Sequence, residues 1–169
     1  QLEAEDFRTG MPSLEDLVGF QSQSVNVTGS DRPDRIRGAF VSANFFQFFK
    51  LRPIVGRTFV AGEDKQGAPK SVVVNEKMWR GRLNGDIDLS NKKLILNGEV
   101  YSVIGVVTST FKEPFDPNVE AWMPLAYYPS NSGKREARFM AGMGRLKDGL
   151  RLSQAQAEAS TVASNLAQG

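Results

Sequence analysis

Residues 71–107 read SVVVNEKMWRGRLNGDIDLSNKKLILNGEVYSVIGVV, and three local signals in this one stretch specify a mixed fold of helices and strands. Val72-Val73-Val74 is apolar at consecutive positions, the pattern of a short strand buried on both faces. Asn75 supplies a side chain suited to capping, and Met78, Trp79 and Leu83 then form the apolar side of a helix predicted over residues 76–83. Asn84-Gly85-Asp86 closes that helix, since Gly85 is free to take positive φ. Further on, Asn97-Gly98 separates the β-rich runs 92–96 and 99–107. Both central residues of a type I′ turn need positive φ, which Asn-Gly tolerates best, so the two runs are predicted to pair as a hairpin.

Upstream, residues 41–59 read VSANFFQFFKLRPIVGRTF. Ser42 is the predicted N-cap of a helix over residues 43–51, ended by Pro53. On that helix Phe45, Phe48 and Phe49 share a face, with Phe46 at its border. Burying such rings stabilises a domain by about 25 cal/mol per Å² of apolar surface, so the helix is expected to lie on a sheet and has no chemical role. Before it, residues 21–28 and 35–41 are expected strands joined by the turn-rich segment 29–34. Residues 13–20, with Leu14, Leu17, Val18 and Phe20, read as a short helix or a helix running into a strand.

Downstream, Phe111 and Phe115 stand in a loop marked by Pro114 and Pro117. Residues 121–125 are a predicted short strand or edge segment, since Pro124 limits pairing. Residues 137–146 read as a Gly-containing strand, and Ser153-Gln154-Ala155-Gln156 as a capping box. The helix that follows places Ala155, Ala159, Val162, Ala163 and Leu166 on one face.

The 169 residues include no Cys and no His, which excludes disulfides, thiolate chemistry and the commonest metal ligand and general base. Lys and Arg number 21 against 19 Asp and Glu, for a net charge of +2, and they are spread along the chain. That distribution lacks the concentrated positive field of a nucleic-acid binder. Arg80 and Arg82 beside Trp79, and Lys92 with Lys93, are better read as ordinary surface charges. No nucleotide-binding loop or nucleophile elbow appears, and no apolar run reaches the length of a membrane span. Glu63 with Asp64, and Glu113, Asp116 and Glu120, are the carboxylates an acid/base or oxygen-only metal site would use. All lie in or beside Gly- and Pro-rich loops, where acids are normally solvated. The Asn26-Val27-Thr28 sequon matters only on a glycosylating route.

Five segments in order carry a family resemblance: VSANFFQFFKLRPIVGRTF, GAPKSVVVNEKMWRGRLNGD, LILNGEVYSVIGVV, EAWMPLA and GRLKDGLRLSQAQAEAS. Together they resemble the periplasmic core domain of MacB-type ABC transporter permeases, over roughly residues 35–168. Ser90-Asn91 stands where the family pattern usually has Gly, and both residues suit a turn. The resemblance implies an α+β fold in two subdomains. A porter-like, membrane-proximal α/β sandwich would comprise residues 1–67 and 128–169, with the phenylalanine helix on a sheet of residues 36–41 and 139–146. Residues 68–127 would form an inserted distal subdomain of hairpin and helix.

The resemblance also implies an extracytoplasmic domain at the periplasmic face of the bacterial cytoplasmic membrane, between two membrane helices and with its ends side by side. Such a domain is non-catalytic and needs no cofactor or metal; ATP hydrolysis belongs to a separate ATPase subunit or domain. Implied partners are that ATPase, a second permease copy and a periplasmic adaptor or carrier protein, with no nucleic acid. The alternative is a stand-alone extracytoplasmic module that binds lipid or peptide through exposed aromatics, for which Phe111 and Phe115 are the contact candidates. A carboxylate hydrolase ranks last.

Overall fold

The computed structural model describes residues 8–29, 33–129 and 141–168, with side chains of the last helix up to Asn165. Its strands are β1 (Leu14–Thr28), β2 (Asp34–Val41), β3 (Val55–Gly56), β4 (Ser71–Asn75), β5 (Lys93–Leu96), β6 (Glu99–Val107), β7 (Val119–Pro124) and β8 (Ala141–Leu146). The helices used below are α1 (Phe45–Phe48), α2 (Glu76–Arg82) and α3 (Leu152–Gln168). Residues 8–10 are also helical, and Leu125–Tyr127 form one 3₁₀ turn. The fold is α+β, as the resemblance implied.

Two compact units divide the chain: residues 1–19 with 130–169, and residues 20–129. Compactness thus sets boundaries at 19/20 and 129/130, whereas the expected membrane-proximal and distal subdomains divide at 67/68 and 127/128. The latter is a functional division and stands as a proposal.

In the larger unit the strand pairings close on themselves. Residues 20–27 of β1 run antiparallel to β2; β2 pairs with β7, β7 with β4, β4 with β6, and β6 with β5. The tip of β5 then returns to β1 through Val27–Leu96 and Thr28–Ile95. The Asn-Gly turn makes this closure possible. Asn97 and Gly98 both take positive φ (50° and 81°), so β5 and β6 pair in the predicted register, Leu96 opposite Glu99. Asn97 then exchanges hydrogen bonds with Asn26: its N–H donates to the Asn26 carbonyl at 2.8 Å, and its Oδ1 accepts the Asn26 N–H at 2.9 Å.

Side-chain alternation splits the core of this unit between two faces. Val72 and Val74 join Val25, Val27, Phe40, Leu96, Val103 and Met123, with Met78 and Trp79 of α2 and Leu83 at its end among them. Val73 points the other way, in register with Trp122, so all three valines are buried as predicted. Asn75 caps α2, its Oδ1 accepting the Met78 N–H at 2.8 Å, and both Asn84 and Gly85 take positive φ where that helix ends. At Gly105 an added Cβ would collide with the Arg57 carbonyl, so only glycine lets residues 54–57 lie against β6.

Four local expectations are corrected. Residues 14–20 are strand, not helix: β1 has β8 as a sheet neighbour and from Phe20 onward pairs residue for residue with β2, and sheet pairing outweighs the helical spacing of Leu14, Leu17 and Val18. The phenylalanine helix is one turn, capped by position at Asn44 and not Ser42, because Lys50 turns the backbone to φ 53° and the Leu51 N–H closes back on the Phe46 carbonyl. Phe46 is fully buried while Phe49 is half-buried, reversing their expected places on the face. β7 is no edge, since it lies between β2 and β4, with Pro124 at its end where a missing N–H matters least.

Beyond Phe49 at its own end, Phe45 and Phe46 of α1 meet the rings of Phe20 of β1, Phe59, Phe111 and Trp122 of β7 at centroid separations of 5.8–6.4 Å. Of the sheet first expected beneath it, residues 139 and 140 lie outside the described residues.

The smaller unit is built on α3. Ala155 and Val162 pack with Met11, flanked by Leu14, Leu146 and Ala159, while Ala163 is exposed. The helix starts earlier than the capping box implied. The Gln154 side chain, not Gln156, reaches back to accept the Arg151 N–H at 3.0 Å.

Candidate functional site

The two aromatic candidates part company. Phe111 turns inward, its ring 5.5 Å from Phe49, 6.0 Å from Trp122 and 6.3 Å from Phe45, so it belongs to the aromatic core. Phe115 stays 58% exposed, with its ring tilted 30° over Phe20 at 4.5 Å. The difference comes from the turn between them, which bends the chain outward after Glu113.

Glu113 is buried to 2% exposure, and its carboxylate organises that turn. One oxygen accepts the Asp116 N–H at 2.8 Å, the other the Phe115 N–H at 3.4 Å, and the Ser22 hydroxyl of β1 bonds the same group. Burial pushes the Glu113 carboxyl above its ordinary value. The two amides pull it down, the charge of Asp116 adds to the rise and Ser22 opposes it. Asp116 is itself held by Arg37 of β2, 2.5 Å away.

The other carboxylate pair is structural in the same sense. Glu63 takes the Arg57 guanidinium through two bonds of 2.8 and 2.9 Å and also accepts the Val60 N–H. The Arg57 pairing holds its carboxyl below the usual range. Asp64 accepts the Ala43 N–H at 2.9 Å, which ties the approach to α1 to the loop after β3. Glu120 is half-buried on β7. Among the described residues no three acids gather as a metal site would require.

Of the basic residues singled out in the sequence, Arg80, Arg82 and Lys92 are each engaged by an acid. Arg80 lies over the Trp79 ring at 5.2 Å and bonds Glu76, Arg82 pairs with Asp34, and Lys92 with Asp86 at 2.9 Å. Charges matched in this way make no continuous track for a phosphate backbone.

Sequence reasoning missed a clasp in the smaller unit. Ser13, buried at the start of β1, donates both its N–H (3.0 Å) and its hydroxyl (2.5 Å) to one carboxylate oxygen of Glu158 on α3. The Ser13 carbonyl accepts the Lys147 N–H at 3.0 Å, so one residue ties together β1, the turn after β8 and α3. Beside the clasp, Gly10 sits against Val162: a Cβ built on Gly10 would lie 3.7 Å from the Val162 Cβ. Nothing local marks these pairs, whose partners stand at opposite ends of the sequence. Residues near the two ends therefore lie side by side, the arrangement expected of the ends themselves; residues 1–7 and 169 fall outside the described residues.

Comparison with known proteins places this geometry. The profile of the MacB-like periplasmic core domain matches residues 1–162. The periplasmic region of MacB from Actinobacillus actinomycetemcomitans is similar in structure, with a TM-score of 0.72 at 16% identity over 96% of this chain and 72% of that one. The extracellular domain of the noncanonic ABC-type transporter YknZ from Gram-positive bacteria gives 0.68 at 18% identity, over 96% and 83%. A domain of a permease protein described as putative, from Porphyromonas gingivalis, gives 0.67 at 12% identity, over 96% and 68%. No curated protein matches the sequence significantly. Among the described residues no helix is long and apolar enough to cross a membrane. The chain belongs to the MacB-like periplasmic core domain family, the extracytoplasmic domain of ABC transporter permeases.

Proposed function

We propose, with that family membership as the premise, that the chain is a non-catalytic coupling body: it links ATP-driven movement of membrane helices to export or hand-over of a substrate. ATP hydrolysis falls to a separate ATPase subunit or domain, and the working partners are a second permease copy and a periplasmic adaptor or carrier. The domain works at the periplasmic face of the bacterial cytoplasmic membrane. Residues 1–67 and 128–169 serve as its membrane-proximal part and residues 68–127 as its distal part.

The observation that supports this reading best is the side-by-side packing of Gly10 with Val162, fastened by Ser13 and Glu158. A body pushed by two neighbouring membrane helices needs its two attachment segments held together. Otherwise the displacement is spent in separating them. Close-packed interiors have low compressibility, so displacement applied at such a joint passes on without being absorbed.

Phe115 remains the partner-contact candidate, while Phe111 is committed to the core. A stand-alone lipid- or peptide-binding module is the second reading, favoured only by that one exposed ring.

The 169 residues contain no cysteine, so labelling of this domain is read as the difference between a variant with one added cysteine and the parent permease. Leu152→Cys, at a position 64% exposed, is introduced into the full-length permease. A membrane-impermeant maleimide is expected to label it in cells whose outer envelope is permeabilised but whose cytoplasmic membrane is intact. Labelling that requires lysis of the cytoplasmic membrane overturns the reading.

A further inference from the structure

We propose that Glu113 is a proton-operated latch on the loop that displays Phe115. Ionised, its carboxylate holds the Phe115 amide and keeps that ring on Phe20; protonated, it gives up the Phe115 amide and lets the ring leave.

The geometry carries this. Among the described residues Glu113 is the buried member of the charged set, and it is spent on a surface loop. Sinking a carboxylate costs free energy unless hydrogen bonds offset it, and here the offsetting donors are the amides that shape the display of Phe115. An ionised carboxylate is an acceptor at both oxygens and satisfies both amides and the Ser22 hydroxyl at once. Protonation turns one oxygen into a hydroxyl donor and weakens the carboxyl as an acceptor, so the weaker of the two amide bonds is the one at risk. The Asp116 bond is the shorter at 2.8 Å, and the 3.4 Å bond to Phe115 is the one that yields. The loop then has less to hold it locally, because among the described residues the Phe115 ring has one aromatic neighbour, Phe20 at 4.5 Å.

The surrounding groups make the latch selective. From its own loop Glu113 faces the negative Asp116, which Arg37 of β2 holds in an ion pair; from β1 it meets only the neutral Ser22 hydroxyl. No cation is bound to Glu113 itself, among the contacts that shift it, so nothing there opposes the uptake of a proton except neutral donors. Burial, which persists when the Phe115 amide alone is released, favours that uptake, and it sets the sign for unfolding of the whole unit, in which Glu113 becomes exposed. With a folded value above the unfolded one, the contribution of this group is fully present below the ordinary carboxylate range and is lost as pH rises through the raised value.

The test is a pH titration of the whole chain by NMR, following the Glu113 carboxyl carbon, the Phe115 and Asp116 amides and the cross-peaks between the Phe115 and Phe20 rings. Glu113 is expected to titrate above the ordinary carboxylate range. At the same midpoint the Phe115 amide should shift and the ring cross-peaks should be lost, with the Asp116 amide moving less. Glu113→Gln is expected to abolish that transition, and Asp116→Asn to retain it. A Glu113 that titrates in the ordinary range, ring cross-peaks that persist through its midpoint, or a transition that survives Glu113→Gln overturns the proposal. The native chain alone supplies the first two outcomes if the variant does not fold.

Discussion

The two compact units are held together by different means. In residues 20–129 a closed circuit of strands encloses large side chains, and on one face Phe20, Phe45, Phe46, Phe59, Phe111 and Trp122 form a continuous aromatic cluster. Among the described residues of the other unit, Met11, Ala155 and Val162 cluster with Leu14, Leu146 and Ala159 at their edge, and Val18 is buried on β1. Among the described residues fewer large side chains are buried there, and the Ser13–Glu158 clasp adds polar bonds between β1 and α3. A unit held by few large contacts opens locally at lower cost than one built on a cluster of rings. Among the described residues the comparison teaches where rigidity resides: in the larger unit in an aromatic cluster, in the smaller one in packing around α3 fastened by the Ser13–Glu158 pair.

The largest effect should come from the aromatic side. Phe46→Ala removes a fully buried ring that touches Phe45, Phe59 and Trp122, and a loss of about 3–5 kcal/mol in denaturant unfolding is expected. A loss below about 1 kcal/mol would mean that the cluster is not the structural centre of that unit.

Glu158→Gln should cost less, about 1–2 kcal/mol, since it replaces a carboxylate that takes two donors from Ser13 by a neutral acceptor. Its effect should be local. Hydrogen exchange is expected to quicken in α3 and around Ser13 while β4, β6 and β7 keep their protection. Equal loss of protection in both units would erase the contrast drawn above.

What was legible in the sequence is what depends on near neighbours. Asn97-Gly98 states its turn through two residues, and Asn75 reaches an amide three residues on, so both were readable. The consecutive Val72–Val74 announced burial on two faces in the same way. Residues 14–20 were misread because only Phe20 among them pairs with β2 and a further sheet neighbour of β1 is β8, more than a hundred residues away, and the end of α1 because Lys50 adopts a backbone conformation its residue type does not advertise.

The candidate site was half legible. A Pro-bounded loop pointed to Phe111 and Phe115 together, but only the completed fold decides that one ring meets Trp122 and the other meets solvent. Glu113 looked like one more solvated loop acid, because the Ser22 hydroxyl that helps bury it belongs to a distant strand. The Ser13–Glu158 clasp had no signal at all, its partners standing at opposite ends of the sequence.

The smallest expected effect is the most informative. Gly10→Cys with Val162→Cys introduces the only thiols of this domain at a Cβ separation of 3.7 Å, inside the range of about 3.5–4.5 Å in which a disulfide forms without strain. In the full-length permease, substrate export and ATPase activity are measured with the bond formed and again after reduction. If the joint moves as one packed piece, both activities are the same in the two states. Export that stops on oxidation and returns on reduction would show that the joint must open during the cycle, and would contradict the coupling account.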